Sequence, residues 1–301
     1  MVATFGLTVS LAQPDPVAVQ NLNNQIAKSG ATLLDVFSSA NTIAAGDFHY
    51  DNPGPDDVDF STFKLPLDYK LGSPTNGLRP LVEGYYGYFK LNEDVTELGP
   101  PNGEFSIRGY TLSAGGGVEW KVCDWLYLTP RLMLAYSHLW QDYNRPVPPS
   151  DPTANIIENW HADVLTISPS LEARGVWSAG RWDFQLKSRY TFLQLLDLHD
   201  NNSYINLHSS SQVWKNEVGV SYRSSWAIFR LPLRPFAQFA RYDLAGDVTT
   251  DEFVDFFYEA RAGIGIGMPH AVKPLSELVL SGAYYWEGPL TGYSIGVALS
   301  F

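Results

Sequence analysis

From residue 41 to the C-terminus, apolar and polar positions alternate with a period of two. In 181–192, Trp182, Phe184, Leu186, Tyr190 and Phe192 alternate with Asp183, Gln185, Lys187, Arg189 and Thr191. In 252–268, Val254, Phe256, Tyr258, Ala260, Ala262, Ile264 and Ile266 alternate with Asp255, Glu259, Arg261, Gly263 and Gly265. In 290–301, Tyr293, Ile295, Val297, Leu299 and Phe301 oppose Gly292, Ser294, Gly296, Ala298 and Ser300. Successive side chains of a strand point to opposite faces, so this period predicts strands with one apolar face. About twelve are expected, near 41–50, 57–71, 78–91, 104–122, 125–142, 158–177, 181–197, 206–223, 226–242, 252–268, 275–287 and 290–301. The first contains Gly46 and reads as strand or as the tail of a helix.

The segment 13–40 has a different period. Asp15 suits an N-cap and Pro16 a first-turn position. Val19, Leu22 and Ile26, then Leu33, Val36 and Phe37, keep helical spacing opposite Gln20, Asn21, Asn24, Gln25 and Lys28. This predicts a weakly amphipathic, amide-rich helix with almost no positive charge. Before it, 1–12 reads as a signal-peptide remnant, with Ser10-Leu11-Ala12 as a small-x-small cleavage site.

Alternation alone does not separate a soluble sandwich from a barrel in lipid, because the same pattern serves both with inside and outside exchanged. Three features favour the barrel. Tight connections alternate with longer polar ones, as short periplasmic turns alternate with external loops. All nine Trp fall near strand ends: Trp120, Trp125, Trp177, Trp182 and Trp226 towards the tight turns, Trp140, Trp160, Trp214 and Trp286 towards the other rim. Such girdles are what a bilayer interface selects. The last apolar face ends on Phe301, on the tight-turn side. Tyr293 and Phe301 therefore read as an assembly signal in the closing strand. The expected fold is an all-β transmembrane antiparallel barrel of about twelve strands over 41–301, with the 13–40 helix in its lumen.

Composition fits this. Hydrophobic residues are 45% of 301, yet no apolar run approaches the ~20 residues of a transmembrane helix. Lysine and arginine number 20 against 32 acidic residues, which argues against nucleic acid as a partner. The one cysteine, Cys123, excludes an internal disulfide.

An N-terminal helix, about twelve strands and a terminal aromatic resemble the translocator domain of bacterial autotransporters. The segment 57–69, reading DVDFSTFKLPLDY, and the closing segment 292–301 are similar to those of the solitary outer-membrane autotransporter-like barrels, which have the barrel without a passenger. The resemblance implies an outer-membrane location and contacts with outer-membrane lipid. The closing strand with its terminal aromatic resembles the signal that outer-membrane barrels present to the barrel-assembly machinery, and a monomer is expected. The family resemblance implies no established activity.

Glu119, Arg131, Glu172, Arg174, Lys187, Arg189, Glu217, Arg230, Arg234, Asp255, Glu259 and Arg261 fall on the polar faces and are expected to line the lumen. They read as a pore lining, as a cradle for the helix, or as a paired network that keeps the interior polar. The network is preferred, because barrels of this size are narrow. Gly115, Gly117, Gly219, Gly263 and Gly265 suit either a helix packed against the wall or bends at bulges. A small porin-like diffusion channel is the first alternative. An outer-membrane lipid hydrolase is the second, resting on His208 and Ser210 on the outward face. The third member that such hydrolases use falls here on Tyr222, and a serine needs an oriented base. No catalytic residue is therefore assigned. The scattered histidines have no metal-ligand spacing, and neither a metal site nor a cofactor is expected.

Overall fold

In the computed structural model the described residues are 43–50, 58–72, 77–95, 103–144, 160–200, 207–247, 255–268 and 277–300. Both N-terminal segments, 1–12 and 13–40, lie outside them.

Twelve long strands and one short one form among the described residues: β1 (Ile43–Tyr50), β2 (Val58–Lys70), β3 (Leu78–Val95), β4 (Gly103–Lys121), β5 (Leu126–Asn144), β6 (Trp160–Ala179), β7 (Trp182–Asp200), β8 (Ser209–Tyr222), the short β9 (Ala227–Ile228), β10 (Leu231–Gly246), β11 (Phe256–Gly267), β12 (Glu277–Glu287) and β13 (Leu290–Ser300). Each long strand pairs antiparallel with the long strands before and after it, and β13 pairs with β1. The sheet is thus a closed barrel with no free edge, which is how strands satisfy their backbone groups in lipid.

The expected strands coincide with the observed ones to within a few residues. Residues 43–50 of the first expected segment form a strand, not a helix tail. Segment 226–242 differs most. Its start is a separate hairpin in which Ile228 pairs with Leu231, and the turn residues Phe229 and Arg230 have φ of 50° and 67°. A two-residue hairpin needs this left-handed backbone to match strand twist. Arg230 is therefore a turn residue and does not line the lumen.

Connections 71–77, 122–125, 180–181 and 223–230 lie at one end, together with the start of β1 and the end of β13. At the other end β1, β3, β5, β7 and β10 finish and β2, β4, β6, β8 and β11 begin. The length alternation breaks near the C-terminus: β11 finishes and β12 begins at the short-turn end, and the tight turn 288–289 lies at the loop end.

Burial inverts the arrangement of a soluble protein. Leu67, Leu112, Leu186, Val218 and Ile295 point outward and are exposed, whereas Glu119, Glu172, Lys215, Glu217 and Glu259 are buried inside. An exposed apolar band around a charged interior is the pattern of a barrel whose outer wall meets acyl chains. Eight of the nine tryptophans follow it, pointing outward or lying in the turns. Trp160 is the exception. Its position in register places it on the inner wall, where it is 2% exposed.

Candidate functional site

Inward-facing positions divide the lumen into tiers. At the loop end the wall is apolar: Phe48, Phe60, Leu91, Ile107, Leu139, Trp160, Val164, Leu193, Leu195, Val213, Tyr242, Phe257 and Tyr285 form one buried cluster. Five of its rings make a continuous belt. Phe60 stacks on Phe48 at 4.7 Å, Phe48 meets Tyr285 at 5.1 Å, Tyr285 meets Phe257 at 6.4 Å, and Phe257 stacks on Tyr242 at 4.4 Å. The belt crosses β13 only because position 292 is glycine; a Cβ there would run into the Phe48 ring. The wall was expected to be polar throughout, and this tier corrects that expectation.

Below it, β4 to β6 supply hydroxyls, among them Thr111 and Ser137, whose oxygens are 2.7 Å apart. Towards the short-turn end the tier is charged, in three clusters. Glu119 takes Lys70 at 2.9 Å, Arg79 at 2.9 Å and Arg174 at 2.6 Å. Arg131 joins Glu83 at 2.8 Å to Glu172 at 3.1 Å, and Glu172 also takes Arg189 at 2.6 Å. Glu217 takes Lys187 and Lys215, each at 3.1 Å. Lys215 also lies 3.8 Å from Glu259, which takes Arg261 at 2.7 Å and accepts the Tyr242 hydroxyl at 2.5 Å. Removing charge from water is costly unless partners and hydrogen bonds replace it, and here Glu119, Glu172, Glu217 and Glu259 each have several.

Of the residues expected in the lumen, Glu119, Arg131, Glu172, Arg174, Lys187, Arg189, Glu217, Glu259 and Arg261 are there, brought together in these clusters. Arg234 faces inward at the mouth, 3.5 Å from Asp183, beside a cavity of about 710 Å³ also lined by Gln185, Gln238 and Glu277. Asp255 precedes β11 at the loop rim and is exposed, so it is not part of the wall lining. Lys70, Arg79, Glu83 and Lys215 complete the network and were not anticipated. For Lys215 the signal was present, two residues before Glu217. For Arg79 and Glu83 it was weak, because both faces of β3 carry apolar residues. Side chains of neighbouring strands lie over the five lumen glycines: Met133, Arg131, Gln238, Phe236 and Glu277 lie over Gly115, Gly117, Gly219, Gly263 and Gly265.

Tyr293 points outward and donates to Asp47 at 3.2 Å; Phe301 lies outside the described residues. His208 and Ser210 are on the outward side near the loop rim. Ser210 is clasped through its backbone, its N–H donating to the Asp247 carboxylate at 2.7 Å and its carbonyl accepting the Asp247 N–H at 2.9 Å. Among the described residues no group of three or more His, Cys, Asp or Glu is placed to hold a metal ion.

A family model described as the solitary outer membrane autotransporter beta-barrel domain matches residues 57–280. No curated protein matches the sequence. Among solved structures, the translocator domain of the autotransporter NalP from Neisseria meningitidis is similar with a TM-score of 0.55 at 13% identity, covering 93% of this chain and 98% of that one. The beta domain of the Bordetella autotransporter BrkA gives 0.54 at 12% identity, covering 87% and 100%. The transport unit of AIDA-I from Escherichia coli gives 0.53 at 13% identity, covering 96% and 100%. At these identities the likeness is one of fold.

Proposed function

The chain belongs to the solitary outer membrane autotransporter β-barrel family, and from that premise we propose that it is a monomeric barrel of the bacterial outer membrane whose lumen is closed at rest by the helix expected at 13–40. The observation that carries this reading is the loop-end tier. Ile107, Leu139, Val164 and Phe257 face the lumen and are all 0% exposed. A water-filled pore would wet that level. The helix brings apolar residues for this tier, such as Leu33 and Phe37, and amides for the charged one. Amides donate to carboxylates and accept from guanidinium groups without adding an unpaired charge.

Conductance in planar bilayers tests this. The intact chain is expected to give no steps, and the chain lacking 13–40 to give ion-conducting ones. Steps from the intact chain would replace this reading with the porin-like one. A disulfide between Asn24→Cys and Arg234→Cys, in a Cys123→Ser background, locates the helix directly. If such pairs form only with positions outside the lumen, the helix is not the plug.

Lipid around the apolar band, and the barrel-insertion machinery acting on β13, are the partners in this proposal. It assigns no catalysis. Ser210→Ala is expected to leave the purified barrel unchanged in a phospholipid-hydrolysis assay, and a lost activity would favour the hydrolase reading.

A further inference from the structure

The outward face of β3 and β4 carries an arrangement unrelated to the lumen. Going towards the loop end, β3 presents Val82, Tyr86 and then Lys90, while β4 presents Leu112, Tyr110 and then Arg108. This is the order hydrocarbon, aromatic belt, cation. Lys90 and Arg108 are direct cross-strand partners. Like charges directly opposite one another on a sheet destabilise it. Neither reaches a carboxylate within 4.0 Å among the described residues, and Arg108 Nε donates only to Ser106 Oγ, at 3.3 Å. On the outward face elsewhere Arg241 meets Asp243 at 2.6 Å, and in the lumen Lys70, Arg79, Arg131, Arg174, Lys187, Arg189, Lys215 and Arg261 each meet a glutamate. Among the described residues the opposed pair is therefore an electrostatic cost left unsettled.

We propose that Lys90 and Arg108 together bind the phosphate of a membrane-lipid headgroup in the leaflet at the loop end. A guanidinium offers a planar fork of donors and an ammonium a compact charge, and both make short, charge-assisted bonds to phosphate oxygens. Trp140 is the cross-strand partner of Arg108 on its other side, and its ring lies 6.1 Å from that of Tyr110. These amphipathic rings flank the phosphate at the depth where headgroup meets acyl chain. Below them Leu112 is 62% exposed, a surface for the acyl chains of the same molecule. That apolar continuation selects a lipid over free phosphate. The inference rests on the reading that this face meets a bilayer.

The test uses the full chain folded in non-ionic detergent, with lipid retention read by native mass spectrometry. Phosphatidic acid is the probe and diacylglycerol, the same molecule without phosphate, its control. Phosphatidic acid is expected to be retained and diacylglycerol not, with inorganic phosphate in excess failing to displace it. The double variant Lys90→Gln/Arg108→Gln should lose retention by about tenfold or more, since two charge-assisted bonds go. Lys90→Arg should keep it. Lys90→Glu should pair with Arg108, raise the melting temperature of the barrel and abolish retention, a combination that a merely structural role for the cations would not produce. Equal retention by wild type and the double variant would overturn the proposal. So would equal retention of diacylglycerol, or displacement by inorganic phosphate. Failure of the wild type to stay folded in detergent would instead sink the membrane reading beneath it, and the two results are distinguishable on heated and unheated gels.

Discussion

Phe48 lies across the backbone of Gly292, its cross-strand partner at the seam where β1 meets β13. From there the ring reaches Tyr285 on β12, with centroids 5.1 Å apart. The glycine thus lets one aromatic side chain tie three strands at the point of closure. Gly292→Ala puts a methyl where the ring lies. Overpacking of this kind costs about 1–3 kcal/mol, read from urea unfolding in lipid vesicles. Gly282→Ala, whose new methyl would meet only the Ser294 carbonyl at 3.8 Å, should stay within about 0.5 kcal/mol of wild type. Equal losses at the two sites would show that the Phe48 contact is not what position 292 protects.

The outward face predicts a different sensitivity. Val218 and Ile264 are 51% and 44% exposed on the apolar band. Val218→Arg or Ile264→Arg should destabilise by about 2–4 kcal/mol near the bilayer midplane. Gln238→Lys, in the polar cavity at the short-turn end, should cost under about 1 kcal/mol. The reverse order would mean that inside and outside are exchanged.

Glu172 holds Arg131 and Arg189 together in the charged tier. Glu172→Gln keeps the shape and leaves two buried guanidinium groups short of an anion. Removing one partner of a buried pair costs about 3–5 kcal/mol. The loss should be coupled: in an Arg189→Met background the same substitution should cost less, because one fewer cation is stranded. Additive losses in the double-mutant cycle would show that the pair does not act as a unit.

Trp160 and Trp177 give a spectroscopic check on the two walls. Trp160 is buried inside and Trp177 is 49% exposed outside. In variants that keep a single tryptophan, brominated acyl chains should quench Trp177 strongly and Trp160 little. Strong quenching of Trp160 would place it on the lipid girdle after all.

The number of strands, their order and most of their outward residues were readable in the sequence. In a strand, side-chain direction has a period of two and depends only on local geometry, so Leu186, Val218 and Ile264 could be placed outside without knowing what pairs with them. The polar faces were readable for the same reason, which is why Glu119, Glu172 and Arg189 fell in the lumen. The hairpin at Phe229 and Arg230 was not. Its left-handed turn carries none of the Asn or Gly that usually marks one, so the alternation ran straight through it. Trp160 was misplaced because tryptophan near a strand end suits a girdle, whereas its inward side follows from pairing with Gln141 on β5. The tiers of the lumen were out of reach altogether. Period two assigns a residue to a face and says nothing about its height along the barrel. Height follows from the register and the stagger of neighbouring strands, and these gather Phe60, Phe48, Tyr285, Phe257 and Tyr242 from distant parts of the chain into one belt. The opposition of Lys90 and Arg108 has the same origin: each is an ordinary interfacial cation on its own strand, and only the register of β3 with β4 makes them a pair.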